Sequence, residues 1–280
     1  MLLLDIGGSY VKYALADMDG RLKEETVGQT PAHADGSFEE ICGVLLSVLE
    51  SARRRQEVSR VCISIPGPFD FESGISHMQH KFPSLLGRSL RAPFEQKHAE
   101  VSFLHDSTAF MLGVYGEAAE RGSRSPCCVM LGTGLGFAMM RDGKVCVNAS
   151  RTPAFTLWNH PWKSGICEDE VSTRAICARY PSPLSVREIA ALARQGDPQA
   201  ASAFEETGTC LRAMLGQFLP DLGCDFLVLG GQISKSADLF HFSFPVPWIV
   251  TEHLDDAALR GAARFACLGQ AACEQTVMLS

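Results

Sequence analysis

The feature that most constrains this chain is its first twenty residues. Leu2 to Leu4 form an apolar run that stops at Asp5-Ile6-Gly7-Gly8-Ser9, after which Val11, Tyr13 and Leu15 alternate with Tyr10, Lys12 and Ala14. A period of two on both sides of a glycine pair predicts strand, turn, strand, with Asp19-Gly20 supplying positive φ for the next reversal. The corner carries a carboxylate, a hydroxyl and unhindered backbone N–H groups, a combination suited to a polyphosphate. The design recurs 123 positions on, counting from Asp19 to Asp142: Cys127 to Leu131, then Gly132-Thr133-Gly134-Leu135-Gly136, then Phe137 to Met140 and Asp142-Gly143. Two glycine-hinged hairpins predict two similar lobes. The second spacing is Gly-x-Gly-x-Gly followed by strand, so a dinucleotide fingerprint, which needs a helix at the pyrophosphate, is excluded, and no Gly-Lys-Ser/Thr ending marks a P-loop.

Length and composition narrow the function. With 280 residues, 46% of them hydrophobic, the chain can fill two moderate cores. The net charge is −7 and the only basic triplet, Arg53-Arg54-Arg55, ends an amphipathic run, which argues against nucleic acid as a partner. Eleven cysteines are scattered through apolar runs without a Cys-x-x-Cys pair, the pattern of free thiols in a reducing compartment. A strand that starts at residue 2 leaves no room for a secretory signal, and no apolar run approaches the length of a membrane span. The expectation is a cytoplasmic protein with no membrane partner.

Further along, Gly36 to Gln56 predicts a helix capped by Ser37, and Val61 to Ile65 a buried strand that stops at Pro66-Gly67-Pro68. Val101 to Leu104 is a strand ending at His105-Asp106, with a helix from Thr108 to Glu120 behind it. Asp106 therefore stands where open α/β sheets place ligands, and equally where a helix takes its cap. Small and breaker residues at 122–126 mark the boundary between lobes. Glu168 to Ala178, Ser185 to Arg194 and Asp197 to Leu219 predict helices, and Phe226 to Leu229 a strand ending in Gly230-Gly231, either a close approach to a flat ligand or a tight turn. The small-residue helix from Asp255 to Ala272 is suited to close packing on a neighbour.

Taken in order, Asp5-Ile6-Gly7-Gly8-Ser9, Ser64 to Asp70, Asp106 before a helix ending Gly116-Glu117-Ala118, Leu131 to Gly136, Gly196-Asp197-Pro198-x-Ala200 and Leu229-Gly230-Gly231 resemble the ROK family (repressor, open reading frame, kinase) over nearly the whole chain. The resemblance implies an α/β chain with the two-lobed actin-like ATPase (ribonuclease H-like) fold and an interlobe cleft. Residues 1–122 would form the sugar-binding lobe, with the C-terminal helix of about 255–280 packing back on it, and 123–254 the second lobe. It implies an ATP-dependent carbohydrate kinase, a homodimer, acting on a hydroxyl, most simply the 6-hydroxyl, of a hexose, N-acyl amino sugar or glycoside. The alternative is a catalytically weak or inactive sugar- and nucleotide-binding homologue with a regulatory role.

By the same resemblance Asp106 is the general base. Asp5, Gly7, Gly8, Ser9, Lys12, Gly132, Thr133 and Gly134 hold the ATP phosphates, Asp5 also holding Mg²⁺ through water, and Gly230, Gly231 and Gln232 lie at the adenosine. Pro66, Gly67, His105, Asp106, Glu168 and His160 would meet the sugar. The departures are specific. His105 stands where most members have Asn. Nothing acidic lies between Gly143 and Cys167, so the family's Glu-x-x-His has no Glu, and Cys167 with His160 are too few ligands for the family's zinc loop; no structural zinc is expected. The winged-helix segment of the repressor branch is not expected either, since the phosphate hairpin begins at once.

Overall fold

The computed structural model describes residues 1–241 and 243–276. They divide into two compact units: Met1–Val114 with Lys144–Ala154 and Asp255–Ser280, and Tyr115–Gly143 with Phe155–Leu254.

The first unit is built on a five-stranded mixed sheet of β1 (Leu2–Ile6), β2 (Tyr10–Ala16), β3 (Leu22–Pro31), β4 (Arg60–Ile65) and β5 (Glu100–His105), in the order β3-β2-β1-β4-β5. β1, β2 and β3 pair antiparallel, as the first hairpin requires, whereas β1, β4 and β5 run parallel. Leu2, Leu4, Ile6, Val61, Ile63 and Ile65 join the core that α1 (Phe38–Arg53) covers with Ile41, Leu45 and Leu49. Ser37 caps α1 in a capping box with Glu40, the arrangement that a serine three residues before a glutamate favours. The first reversal differs from expectation at one residue: Gly20 has positive φ but Asp19 does not, and the Asp17 carboxylate instead accepts from the Asp19 and Arg21 N–H groups.

Helix α2 (Asp106–Ala119) follows β5 directly. The C-terminal helix Ala257–Leu268 packs on β1 and β4 and crosses α2 at glycine-to-backbone distance. A Cβ at Gly113 would sit 1.9 Å from the Ala257 carbonyl oxygen, and one at Gly261 would sit 1.7 Å from that of Ala109. Only glycine permits this approach. Lys144–Val147 pairs in parallel with Cys273–Gln275 in the same unit.

In the second unit β6 (Pro126–Leu131), β7 (Leu135–Arg141), β8 (Phe226–Gly230) and β9 (Trp248–Val250) lie in the order β9-β8-β6-β7, parallel except for the β6–β7 hairpin. Asp142 and Gly143 both take positive φ, as a tight hairpin turn demands. The long helix Pro198–Leu222 is capped by Asp197, whose carboxylate accepts from the Gln199 and Ala200 N–H groups, with Pro198 at its first position. The segment expected as one helix from Glu168 to Ala178 is two, Glu168–Val171 and Thr173–Ala178, because Ser172 is extended and the Thr173 N–H donates to the Gly132 carbonyl. No helix among the described residues is long and apolar enough to cross a membrane.

Candidate functional site

Three parallel strands of the first unit end together, and their carboxyl ends carry its chemistry. Asp5 pairs in register with Lys12 on one side and Ser64 on the other, and Ile65 pairs with His105. Loops at the carboxyl ends of parallel strands are where open α/β sheets bind ligands. The Gly7 N–H donates to the Tyr10 carbonyl at 3.0 Å and closes the first glycine turn, while a Cβ at Gly8 would meet nothing within 4 Å. The turn is thus open at Gly8. Ser9 is exposed and its carbonyl accepts from the Ala32 N–H. Lys12 Nζ donates to the Asp255 carbonyl at 2.7 Å and lies 3.8 Å from the Asp255 carboxylate.

Two carboxyl groups at this edge are driven in opposite directions. Burial pushes Asp5 up to about 6; the hydrogen bond from Ser64 Oγ (2.8 Å to Oδ1) and the charge of Lys12 oppose it, and the charge of Asp106 adds to it. For Asp106 burial also acts upward, but the adjacent His105, by charge and hydrogen bond, with Lys81 and the Ser107 N–H, outweighs it and holds the carboxyl at about 2. Carboxyl groups pushed apart in this way are a mark of functional sites.

The geometry at Asp106 is asymmetric. Its Oδ1 lies 2.9 Å from His105 Nδ1, accepts from the Ser107 N–H at 2.6 Å and lies 3.2 Å from Ser107 Oγ. Its Oδ2 has no hydrogen-bond partner among the described residues, and the side chain keeps 41% of its exposure. A carboxylate held by one oxygen and open at the other can receive a proton at the second. Gly67, in the Pro66-Gly67-Pro68 turn, faces the neighbouring His105: a Cβ there would lie 3.5 Å from His105 Nε2.

The second unit gathers its expected residues around the other glycine turn. The Gly132 N–H donates to the Gly134 carbonyl at 3.1 Å, and a Cβ at Gly132 would meet nothing within 4 Å. Thr133 is exposed at the tip. Glu168 braces this turn: its Oε2 accepts from the Leu135 N–H at 2.9 Å and would lie 2.8 Å from a Cβ at Gly134. Gly231, after β8, has φ +80, and a Cβ there would lie 2.2 Å from the Leu131 carbonyl oxygen, so the close approach at Gly230-Gly231 is to the chain's own backbone. Gln232 opens the 3-10 helix that follows. His160 stacks on Phe155 with centroids 4.6 Å apart and touches Phe218 at 4.8 Å, while Trp158, 45% exposed, gives its carbonyl to the Glu168 N–H.

The structure therefore places Asp5, Gly7, Gly8, Lys12, Gly67, His105 and Asp106 along one sheet edge of the first unit, and Gly132, Thr133, Gly134 and Glu168 on one turn of the second. Ser64 was not among the expected site residues; its signal was a lone hydroxyl in an otherwise apolar strand, while the charge of Lys81, from an irregular polar segment suited to lining a cleft, bears on Asp106. No three or more His, Cys, Asp or Glu side chains among the described residues form a metal-holding group. A magnesium ion that keeps several waters and phosphate oxygens needs only one or two carboxylates, and the half-buried, incompletely neutralised Asp5 fits that demand.

Comparison with known proteins gives the fold and the family. N-acetyl-D-glucosamine kinase of Citrobacter koseri is 27% identical over 255 residues, covering 82% of this chain and 83% of that protein. Among solved structures, a candidate N-acetylmannosamine kinase from Listeria monocytogenes superposes with a TM-score of 0.78 at 16% identity, covering 95% of this chain and 97% of the other. A ROK family glucokinase from Streptomyces griseus, in complex with glucose and AMPPNP, gives 0.72 at 20% identity over 96% and 99%. These likenesses give the fold, a mixed α/β architecture of the hexokinase-like kind, and the ROK family profile matches residues 1–150. The chain belongs to the ROK family.

Proposed function

We propose that the protein is an ATP-dependent carbohydrate kinase that transfers the γ-phosphoryl group to a hydroxyl, most simply the 6-hydroxyl, of a hexose or N-acyl amino sugar. The observation that carries this reading is Asp106: a carboxylate at the carboxyl end of a parallel strand, fixed through Oδ1 and open at Oδ2, beside a glycine turn. Membership of the ROK family and the N-acetyl-D-glucosamine kinase relatives support the acceptor class.

Asp106 Oδ2 receives the proton of the acceptor hydroxyl as that oxygen bonds to the γ-phosphorus and ADP departs. A carboxyl held at about 2 is a weak base, which suits a loose transition state in which little proton transfer is required before phosphorus–oxygen cleavage. Backbone N–H groups at Gly8, Ser9, Thr133 and Gly134 bind phosphate oxygens, while Gly7 and Gly132, whose N–H groups are taken up within their own turns, give those turns their shape, with Lys12 beside the first. Gly230, Gly231 and Gln232 lie at the adenosine. Pro66, Gly67, His105 and Glu168 position the sugar, and His160 supports that surface through its aromatic stack. Asp5 would hold Mg²⁺ through water, and the ion would supply positive charge to the phosphates. The working form is a cytoplasmic homodimer.

The test is a coupled assay of ADP release with Mg-ATP across aldohexoses and their N-acyl amino derivatives. Turnover of at least one sugar, lost in Asp106→Asn, is expected. Failure of every sugar, or full turnover by the variant, overturns the reading.

A further inference from the structure

We propose that Ser64 is a positioning residue for the metal of this transfer: its hydroxyl holds Asp5 Oδ1 and leaves Oδ2 as the oxygen free for a hydrated magnesium ion. The proposal rests on the kinase reading and adds to it which residue aims the metal's carboxylate.

A hydroxyl carries one hydrogen, and Ser64 Oγ gives it to Asp5 Oδ1 at 2.8 Å. No other hydrogen bond reaches the Asp5 carboxylate among the described residues, so Oδ2 keeps its lone pairs. An aspartate carboxylate turns easily about its last torsion, which has broad wells. A single donor on one oxygen fixes its plane and makes its two oxygens unequal. Donors behind a metal's ligands act in this way, and they matter nearly as much as the ligands themselves.

Strand register holds the donor in place. Asp5 and Ser64 are partners on the parallel strands β1 and β4, next to the pair Leu4 and Ile63. Ser64 is fully buried between Ile63 and Ile65, which are buried as completely, whereas Asp5 is half-buried. Water therefore does not stand in for the bond on the Ser64 side, and a buried hydroxyl is costly unless a partner takes its hydrogen. The carboxylate is that partner. Lys12, the register partner of Asp5 on β2, is engaged elsewhere: its Nζ donates to the Asp255 carbonyl at 2.7 Å and lies 3.8 Å from the Asp255 carboxylate. Of the two residues flanking Asp5 across the sheet, only Ser64 hydrogen-bonds to it. Beyond Ile65 the same strand runs into the Pro66-Gly67-Pro68 turn on the sugar side. A merely structural role for Ser64 would thus disturb sugar and nucleotide together, while a positioning role falls on the metal alone.

The experiment compares the wild type with Ser64→Ala, Ser64→Thr and Ser64→Cys, each first shown to be folded by urea unfolding. Calorimetry measures the affinity of a nonhydrolysable ATP analogue with Mg²⁺ and with EDTA. The coupled assay measures KM for the sugar found in the panel and the free Mg²⁺ that gives half-maximal rate. In Ser64→Ala, the gain in affinity that Mg²⁺ confers should shrink, and the half-maximal Mg²⁺ should rise, by about tenfold, the low end for loss of a group that orients a ligand, because the ion reaches Asp5 through water. Affinity in EDTA and KM for the sugar should stay at the wild-type values. Ser64→Thr keeps the hydroxyl and should restore the Mg²⁺ dependence; Ser64→Cys, a weak donor of nearly the same shape, should restore part of it and serves as the rescue if threonine does not fit. Wild-type Mg²⁺ dependence in Ser64→Ala, or a loss shared equally by the affinity in EDTA and by KM for the sugar, overturns the proposal. If the wild type binds the analogue with Mg²⁺ but phosphorylates no sugar, the kinase reading fails, and the calorimetry still decides the role of Ser64. A wild type that binds no analogue overturns both.

Discussion

Asp5 offers the sharpest test of how the site is built, because its role and its stability pull apart. Its carboxyl is raised from 3.8 to about 6, chiefly by burial and secondarily by the charge of Asp106. At 1.36 kcal/mol per pKa unit, that shift disfavours the ionised folded state by roughly 3 kcal/mol. The sign follows from which state holds its proton longer. Well below pH 4 the group is protonated in both states and no penalty is felt. As pH rises from about 4 to 6 the unfolded chain ionises first, so stability falls, and well above pH 6 the loss is complete. Asp5→Asn keeps the acceptor for Ser64 Oγ, which donates at 2.8 Å, and removes the charge.

After about 1 kcal/mol for an amide NH₂ that must find a partner, the variant should be more stable than the wild type by about 1–3 kcal/mol at pH 8. The difference should close or reverse near pH 4. Chemical unfolding at pH 4, 6 and 8, with hydrogen exchange of β1 amides as the local readout, measures it. Mg²⁺ with a nonhydrolysable ATP analogue should stabilise the wild type more than the variant, because the ion supplies the charge that the fold withholds. A variant that is less stable at pH 8, or a difference that ignores pH, would refute the reasoning.

Further outcomes follow from the same geometry. Asp106→Asn should lower kcat by about 10²–10⁴-fold with the fold intact, as measured by the coupled assay and circular dichroism. Gly261→Ala should cost more than about 3 kcal/mol or prevent folding, since its Cβ would sit 1.7 Å from the Ala109 carbonyl oxygen. Gly43→Ala, in α1 with nothing within 4 Å, should instead stabilise by about 0.5–1 kcal/mol, and thermal melts compare the two. Glu168→Ala removes the brace on the second glycine turn and should raise KM for ATP, whereas Glu168→Gln, which still accepts from the Leu135 N–H, should raise it less.

What the sequence disclosed and what it withheld divide along the distance over which a residue acts. The glycine turns were legible because a turn is a local object: Gly7-Gly8 and Gly132 to Gly134 interrupt a two-residue period between apolar runs. Asp106 was legible for a related reason, lying at the end of an apolar strand and the start of a helix, yet as a cap and as a base it reads the same. The side-chain geometry adds what the pattern lacks: Oδ1 bonds to its neighbours and Oδ2 does not. Ser64, Lys81 and the brace from Glu168 act across 59, 25 and 33 positions, and nothing local to them records the partner. Gly231 shows the limit from the other side. Its glycine was legible as a close approach, but that the approaching atom is the Leu131 carbonyl oxygen depends on parallel pairing of β6 and β8, which a sequence pattern does not fix.

The same distinction explains why the departure at residue 105 carries more information than the motifs that conform. A glycine turn that matches its family adds only evidence of membership, since any member would have it. His105 occupies a position whose neighbours are set by the fold: Asp106 by covalent succession and Gly67 by strand register. Its Nδ1 accepts from the Ser107 N–H at 3.2 Å and lies 2.9 Å from Asp106 Oδ1, and its Nε2 lies on the Gly67 side, so one ring spans the carboxylate and the turn where an amide would have to be placed differently to reach both.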